Sequence, residues 1–317
     1  MPTVVVTDYR FASLDLEREI VESAGFDFLP GQCPTPDDLV PFVRNADAVI
    51  TQFSPINASV IQAMEKAKVI VRYGIGVDNV DLAAARAKGI PVCNIPDYCI
   101  DEVADHTLSF ILATTRQVVP NTLHVRSGNW GLATSLDQMR TLKDLTIGIV
   151  GFGRIGREVA SRLAPFKCQR LVCDQFIPPA VVEQAGCRNV TLDQLLSECD
   201  VITLHCPSTA ETRKLLNTQS IAKMKRGSIL VNLGRGDLID TTALINALQS
   251  GQLSAAAIDV CDPEPIPLDS PLRTMPNVIT ASHIASTSPK AVRKLQQSAA
   301  QLAVMALQGK PLPSIVN

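Results

Sequence analysis

The chain has 317 residues, of which 46% are hydrophobic and 19% charged, and its formal net charge is −2. That length predicts one large domain or two of ordinary size, and the composition supplies a sizeable core and excludes a mostly disordered chain. The near-neutral balance excludes a general nucleic-acid binder, which carries a basic excess.

The amino-terminal MPTVVVTDYR starts directly with an apolar strand pattern. It lacks the charged and apolar regions of a signal peptide, so a cytoplasmic protein is expected. No stretch approaches about 18 uninterrupted apolar residues, so no membrane span is expected. The nine cysteines include no CxxC pair. They read as reduced thiols, and no metal site is expected.

Taken in chain order, the first strand candidates are TVVVTD (3–8), FDFLP (26–30), ADAVIT (46–51), KVIVRYG (68–74) and IPVCNI (90–95). Residues 100–127 read as a long helical stretch with Pro120 as the expected break. A polar connector, SGNWGLATSLDQMRT, follows and carries the only tryptophan, Trp130. A second strand series occupies 145–151, 170–174, 200–206, 228–233, 255–260 and 277–282. Most of these runs are continuously apolar rather than alternating, as parallel strands covered on both faces must be. Helical segments separate them, which is the βαβ signature. The expected class is therefore α/β, with two doubly wound parallel-sheet units joined near the connector. The last helical segment, from about Pro289 to Leu307, is long enough to return to the first unit.

LTIGIVGFGRIGREVA places Gly151, Gly153 and Gly156 in a G-x-G-x-x-G pattern between a strand and a helix. Gly151 permits a tight turn, Gly153 a close approach of backbone to pyrophosphate, and Gly156 close helix–strand packing. Arg154 and Ile155 open the helix, whose free N–H groups suit phosphate. Asp174 ends the next strand, where a carboxylate accepts from both ribose hydroxyls and repels a 2′-phosphate. NAD is therefore favoured over NADP.

Later strands deliver further charged groups. Strand 228–233 leads to Arg235 between Gly234 and Gly236, glycines that leave room for ligands. Strand 255–260 leads to Asp259 and Glu264, and strand 277–282 to His283. In an open parallel sheet, ligands bind outside the carboxyl ends of the strands, so these residues converge on the nucleotide edge. Each has a plain alternative as a surface ion pair or loop residue. His106 and His124 lie in the helical stretch, but His205 also ends a strand. Composition does not separate it from His283 as an acid–base group.

RYGIGVDNVDLAAARAKGIPVCNIP, EVADHTL, VRSGNW, GFGRIGREVA, HCPSTAETRKLLN, VNLGRGDLID, DVCDPEP and SHIAST follow one another in the order of a known family. The chain resembles the D-2-hydroxyacid dehydrogenases, a family that includes phosphoglycerate and glycerate dehydrogenases. Within it, the first of these motifs resembles the C-terminal-binding-protein branch. The resemblance implies two Rossmann-like domains with a cleft between them. Residues 1–99, completed by 286–317, would bind substrate, and 100–285 would bind NAD(H). It implies that Arg235 binds the substrate carboxylate, that His283 rather than His205 is the general acid/base, and that Glu264 pairs with His283. It assigns Asp259, Thr107, Cys206, Pro207 and Thr212 to the cofactor's surroundings, and Gly74, Ile75 and Gly76 to the substrate carboxylate. A small 2-hydroxy or 2-oxo acid and a homodimer are implied partners. Glu264 stands where formate dehydrogenases of the family carry glutamine, which argues against formate. A corepressor-like NAD(H)-sensing protein is the alternative, but the tryptophan such members carry after the catalytic histidine is absent from HIAST. The substrate side chain is left to loops at Phe53-Ser54-Pro55 and Tyr98-Cys99-Ile100, and no basic cluster beyond Arg72 suggests a phosphate pocket.

Overall fold

A computed structural model describes all 317 residues. The chain divides into two compact units, Met1–Tyr98 with Ser288–Asn317, and Cys99–Thr287.

The first unit alternates β1 (Thr3–Val6), α1 (Asp15–Ser23), β2 (Asp27–Pro30), α2 (Pro36–Val43), β3 (Ala48–Thr51), α3 (Ala58–Ala63), β4 (Ile70–Arg72), α4 (Leu82–Ala87) and β5 (Val92–Cys93). Its sheet has the order β2-β1-β3-β4-β5, and every pair is parallel. Val4, Val5, Val6, Val49 and Ile50 are buried on both faces, which is why these runs do not alternate. Side chains fix where the helices start. Thr35 forms a capping box with Asp38, and Asn57 and Asp81 accept from the third N–H of α3 and α4.

The last helix, α12 (Pro289–Leu307), belongs to this unit and packs on α1, β3 and β4. Ala299, Ala300 and Ala303 are fully buried there, and their small side chains let the helix lie close. A buried polar group ties it down. Tyr73 donates to Glu17 at 2.8 Å and the Gln296 amide donates to the other carboxylate oxygen at 3.0 Å. Burial pushes the Glu17 carboxyl above its ordinary range, despite these donors.

The second unit begins with α5 (Ile100–Thr115) and α6 (Val118–Arg126). It continues β6 (Thr146–Val150), α7 (Arg154–Leu163), β7 (Gln169–Cys173), α8 (Pro179–Gln184), β8 (Arg188–Asn189), α9 (Leu192–Glu198) and β9 (Val201–Leu204). It closes with α10 (Thr218–Ala222), β10 (Ser228–Asn232), α11 (Thr241–Gln249), β11 (Leu253–Ile258) and β12 (Val278–Thr280). The sheet order is β12-β11-β10-β9-β6-β7-β8, again all parallel. The chain winds outward from β6 to β8 and then returns to β9 on β6's other side. That reversal between β6 and β9 is where a doubly wound sheet opens a crevice. No helix is long and apolar enough to cross a membrane.

The helical stretch breaks elsewhere than at Pro120. Gln117 takes a left-handed conformation (φ 52°) and separates α5 from α6. Pro120 lies in the first turn of α6, where its missing N–H has no intrahelical acceptor to lose. β8 is an edge strand of two residues, Arg188 and Asn189, too short and polar to show in the apolar pattern. The strand pattern over 68–74 shortens to β4, because the chain turns sharply at Gly74 (φ 145°).

Gly148 lies mid-strand in β6, and a Cβ there would meet Leu195 Cδ2 at 2.7 Å and Cys199 Sγ at 2.8 Å. Gly148→Ala should lower the unfolding free energy by about 1–3 kcal/mol through overpacking against α9. Urea denaturation reads this, and Leu195→Val in the same chain should recover part of it.

Candidate active site

The glycine loop after β6 has two kinds of glycine. A Cβ on Gly151 (φ 92°) would meet the backbone of His205 and Cys206 at 2.6–2.8 Å, and one on Gly156 would meet the Gly151 carbonyl oxygen at 2.1 Å. Both are required by the protein's own packing. Gly153 is exposed and a Cβ there would meet nothing within 4 Å, so no packing constraint of the protein requires it. Gly153 caps α7 without a side chain, and Arg154, Ile155 and Gly156 form the first turn. The first N–H groups of that turn have no intrahelical acceptor and carry the positive end of the helix dipole.

Asp174 stands directly after β7. One carboxylate oxygen accepts from Phe152 N–H at 2.6 Å, and the other from Phe176 and Ile177 N–H at 2.8 and 3.1 Å. It therefore pins the glycine loop to the end of the neighbouring strand and keeps its charge at the loop.

The loop after β9 holds Cys206, Pro207 and Thr212. Thr212 donates to Pro207 O at 2.7 Å and accepts from Thr209 N–H at 2.8 Å, closing a compact turn. Burial pushes the Cys206 thiol up to about 11, so it stays protonated. Thr107 is fully buried in α5, and its hydroxyl donates to Val103 O at 2.7 Å.

The candidate acid–base group is built on β10, β11 and β12, which lie side by side. His283 follows β12 and adopts a left-handed conformation (φ 59°), uncommon for a residue other than glycine. Three bonds hold it there. Its N–H donates to Asp259 O at 2.8 Å, and the next two N–H groups, of Ile284 and Ala285, donate to the two Asp259 carboxylate oxygens at 2.9 and 2.8 Å. Asp259, at the end of β11, is 2% exposed. The expected cofactor-lining residue is thus the inner anchor of the histidine loop, a role its burial and not its sequence position reveals.

His283 Nδ1 lies 2.8 Å from Glu264 Oε1, with the side chains 25% and 33% exposed. An ionised carboxylate only accepts, so against one Nδ1 is the donor. Glu264 comes from the loop after β11, where the Asp262–Pro263 and Glu264–Pro265 bonds are both cis.

Arg235 follows β10 in a turn braced by the buried Asn232. The Asn232 amide donates to Arg235 O at 2.8 Å and accepts from Gly234 N–H at 3.0 Å. The guanidinium is half-buried and donates to Gly234 O at 2.9 Å. The flanking glycines serve the protein rather than a ligand. A Cβ on Gly236 would meet the Cys261 backbone at 2.0 Å, and one on Gly234 would meet Leu238 at 3.2 Å. Asn232 escaped the sequence reading because it sits inside an apolar strand with no motif of its own.

His205 is not equivalent to His283. Its ring contacts Thr203 Oγ1 at 2.9 Å, and although it keeps some surface, the protein packed around it pushes its pKa down to about 4. It is therefore neutral near pH 7. His106 packs edge-on against Phe110 in α5, with ring centroids 4.5 Å apart.

In the first unit, Gly74, Ile75 and Gly76 follow β4. Gly74 O accepts from Ile95 N–H at 2.9 Å and Ile75 O from the Asn94 amide at 2.7 Å. The N–H groups of Ile75 and Gly76 make no hydrogen bond within the chain, which leaves two adjacent donors.

Residues 108–285, more than half of the chain, match the family model described as D-isomer specific 2-hydroxyacid dehydrogenase, NAD binding domain. The chain is 36% identical over 285 residues to D-3-phosphoglycerate dehydrogenase of Mycobacterium tuberculosis, covering 90% of this chain and 53% of that protein. It thus spans about half the length of the phosphoglycerate dehydrogenases it matches. It is 34% identical over 287 residues to the glyoxylate reductase of Korarchaeum cryptofilum, covering 90% of this chain and 86% of that one. Among solved structures, it superposes on D-lactate dehydrogenase from Aquifex aeolicus, complexed with NAD and lactic acid, with a TM-score of 0.88 at 27% identity and 96% coverage of both chains.

The His205 shift has a consequence for stability. Below about pH 6.5 the unfolded chain takes up a proton that the folded ring refuses until about 4. His205 therefore contributes stability above that window, and the contribution is lost as pH falls through it. Urea midpoints at about pH 7 and about pH 5 should differ less in His205→Gln than in the parent.

Proposed function

The chain belongs to the D-isomer specific 2-hydroxyacid dehydrogenase family, and from that premise we propose that it interconverts a small 2-oxo acid and the D-2-hydroxy acid, with NAD(H) as its cofactor. The observation that carries this reading is the His283–Glu264 pair, 2.8 Å apart and fixed at the carboxyl edge of a nucleotide-type sheet.

The residues present fit the cofactor. The open side of Gly153 and the first turn of α7, with Arg154 and Ile155, would hold the pyrophosphate. Asp174 would take the ribose hydroxyls and disfavour a 2′-phosphate, so NAD is preferred to NADP. Thr107, Cys206, Pro207 and Thr212 would line the rest of the site. When bound, the nicotinamide gives or takes the hydride exchanged at C2.

The chain's own residues do the remainder. In reduction, His283 Nε2 gives its proton to the 2-oxo oxygen as that oxygen gains charge, and in oxidation Nε2 takes the hydroxyl proton. Glu264 keeps the ring oriented. Arg235 presents a planar, permanently charged fork that matches a carboxylate and stabilises the developing oxyanion, which lysine does not reproduce. Within the first unit, the N–H groups of Ile75 and Gly76 are donors suited to a carboxylate. A purely nucleotide-sensing role needs neither the pair nor Arg235, and is not favoured.

The reading includes a homodimer and a reducing, cytoplasmic compartment. All nine cysteines are free thiols. No residue of α6 is buried, and Val118, Leu123, Val125, Trp130, Leu132 and Leu136 expose a run of apolar surface that a second copy would cover.

The decisive experiment follows NADH oxidation with glyoxylate, hydroxypyruvate, pyruvate and phosphohydroxypyruvate. Turnover on at least one is expected, falling about 10²–10⁴-fold in His283→Ala. No turnover on any acid overturns the reading. Arg235→Lys should cut kcat/KM while leaving NADH affinity nearly unchanged; a collapse of that affinity would instead make Arg235 a cofactor residue. Leu123→Glu with Trp130→Ser should shift sedimentation from dimer to monomer.

A further inference from the structure

Two loops of the second unit that serve different parts of the proposed chemistry are fastened to each other. One follows β9 and carries Cys206, Pro207 and Thr212, the cofactor-lining residues of that reading. The other follows β10 and carries Arg235. β9 and β10 are parallel neighbours, so both loops leave the carboxyl edge of the sheet side by side. A Cβ on Gly234 would lie 3.4 Å from the carbonyl oxygens of Leu204 and Cys206, so the second loop starts against the first.

Asp237, in the turn that follows Arg235, makes the polar connection. Its carboxylate oxygen Oδ2 accepts from the Ser208 hydroxyl at 2.6 Å, and Arg213 Nε lies 3.2 Å from the same oxygen. Its carbonyl accepts from Lys214 N–H at 2.7 Å. Ser208 sits inside the turn that Thr212 closes on Pro207. Arg213 is mostly exposed, and an ion pair in water is weak. The Ser208 bond is short, half-buried and made to a carboxylate, which is the strong kind. The backbone continues the seam, since Leu216 N–H donates to Leu238 O at 3.0 Å and Asp240 N–H to Leu216 O at 2.8 Å.

Both sides of this connection are stiff. Lys214 takes a left-handed conformation (φ 50°), which persists where neighbouring bonds over-determine it, and its Nζ lies 3.1 Å from Asp240 Oδ2. On the other side, Gly236–Leu238 forms one tight turn that Arg235 begins. Leu238 N–H donates to Arg235 O at 3.4 Å, the oxygen that the Asn232 amide also holds. Asp237 lies inside that turn, so a shift of Asp237 carries the backbone of Arg235 with it.

We propose that Asp237 is a positioning residue that couples the two loops, so that NADH seated on the Cys206–Thr212 loop holds Arg235 in the geometry its acid requires. The inference rests on the dehydrogenase reading and adds to it a path, contained in one unit, by which cofactor and acid strengthen each other's binding. Such coupling is reciprocal, so acid held by Arg235 tightens NADH by the same factor. Neither Ser208 nor Asp237 needs to touch either ligand. With their bond broken, each ligand orders only its own loop.

The test titrates oxamate, an unreactive analogue of a 2-oxo acid, into the free and the NADH-loaded protein by calorimetry. In the parent, NADH should tighten oxamate by about fivefold or more. Asp237→Ala should cut that factor to less than about half, and Ser208→Ala should do the same. The double variant should be no worse than either alone, because the two residues share one bond. Asp237→Asn, whose amide oxygen still accepts from Ser208, should keep most of the factor. A general loosening of the fold weakens both titrations alike and leaves their ratio unchanged. A parent without coupling, a ratio kept in full by Asp237→Ala, or losses that add in the double variant overturn the proposal. The dehydrogenase reading is judged separately, by turnover of 2-oxo acids in the parent. If no acid is turned over, that reading fails, and NADH affinity decides the rest. Weaker NADH binding in both single variants keeps the connection, and unchanged binding removes it.

Discussion

A buried carboxylate is costly unless backbone donors surround it, and Asp259 shows how this protein uses that constraint. With both oxygens taken by Ile284 and Ala285 N–H, and its own carbonyl by His283 N–H, it leaves the histidine one conformation. The left-handed backbone at His283 costs free energy that such bonds offset. Everything that His283 can do chemically depends on that anchor. Only after the backbone is fixed does a single carboxylate, Glu264, suffice to set which ring nitrogen holds the proton.

The same device recurs. Asp8, just after β1, binds N–H groups of the loop after β3, and Asp174, after β7, binds the glycine loop after β6. The opposite edges are stitched alike, since Asp47 accepts from Thr3 N–H at 2.8 Å and Asp200 from Thr146 N–H at 2.8 Å. Parallel strands leave loops at the carboxyl edge without a hairpin partner, so each needs an acceptor from a neighbour. An aspartate at a strand end supplies two oxygens, is too short to wander, and costs little helix or strand stability at that place. Rigid loops are what a reaction needs, because misplacing a proton donor by a fraction of an ångström slows it steeply.

Glycine plays a complementary part. Gly151, Gly156 and Gly236 are demanded by protein atoms within 3 Å of where a Cβ would stand, while Gly153 alone of the fingerprint faces open space. Equal letters in a motif thus carry different constraints. Gly74 is a third case, since the atom it makes room for belongs to the side chain of Arg72, the last residue of the preceding strand.

The sequence by itself determined the α/β class, the parallel strands, the glycine fingerprint and the residues that bear charge at strand ends. Those follow from apolar runs, turn chemistry and residue type, which are local. Through its ordered motifs it also singled out Arg235, Glu264 and His283. It did not separate His205 from His283 by composition, because the burial that lowers the His205 pKa comes from chain brought in by the fold. It misplaced the helix break at Pro120, because a proline's cost depends on its position within a turn, and that is fixed by where Gln117 reverses the chain. It missed Asn232, which sits in an apolar strand without a motif, and the anchoring role of Asp259, which acts through contacts with chain distant in sequence. Residue chemistry is written in the chain, but which atoms surround it is decided only when neighbouring strands set their loops side by side.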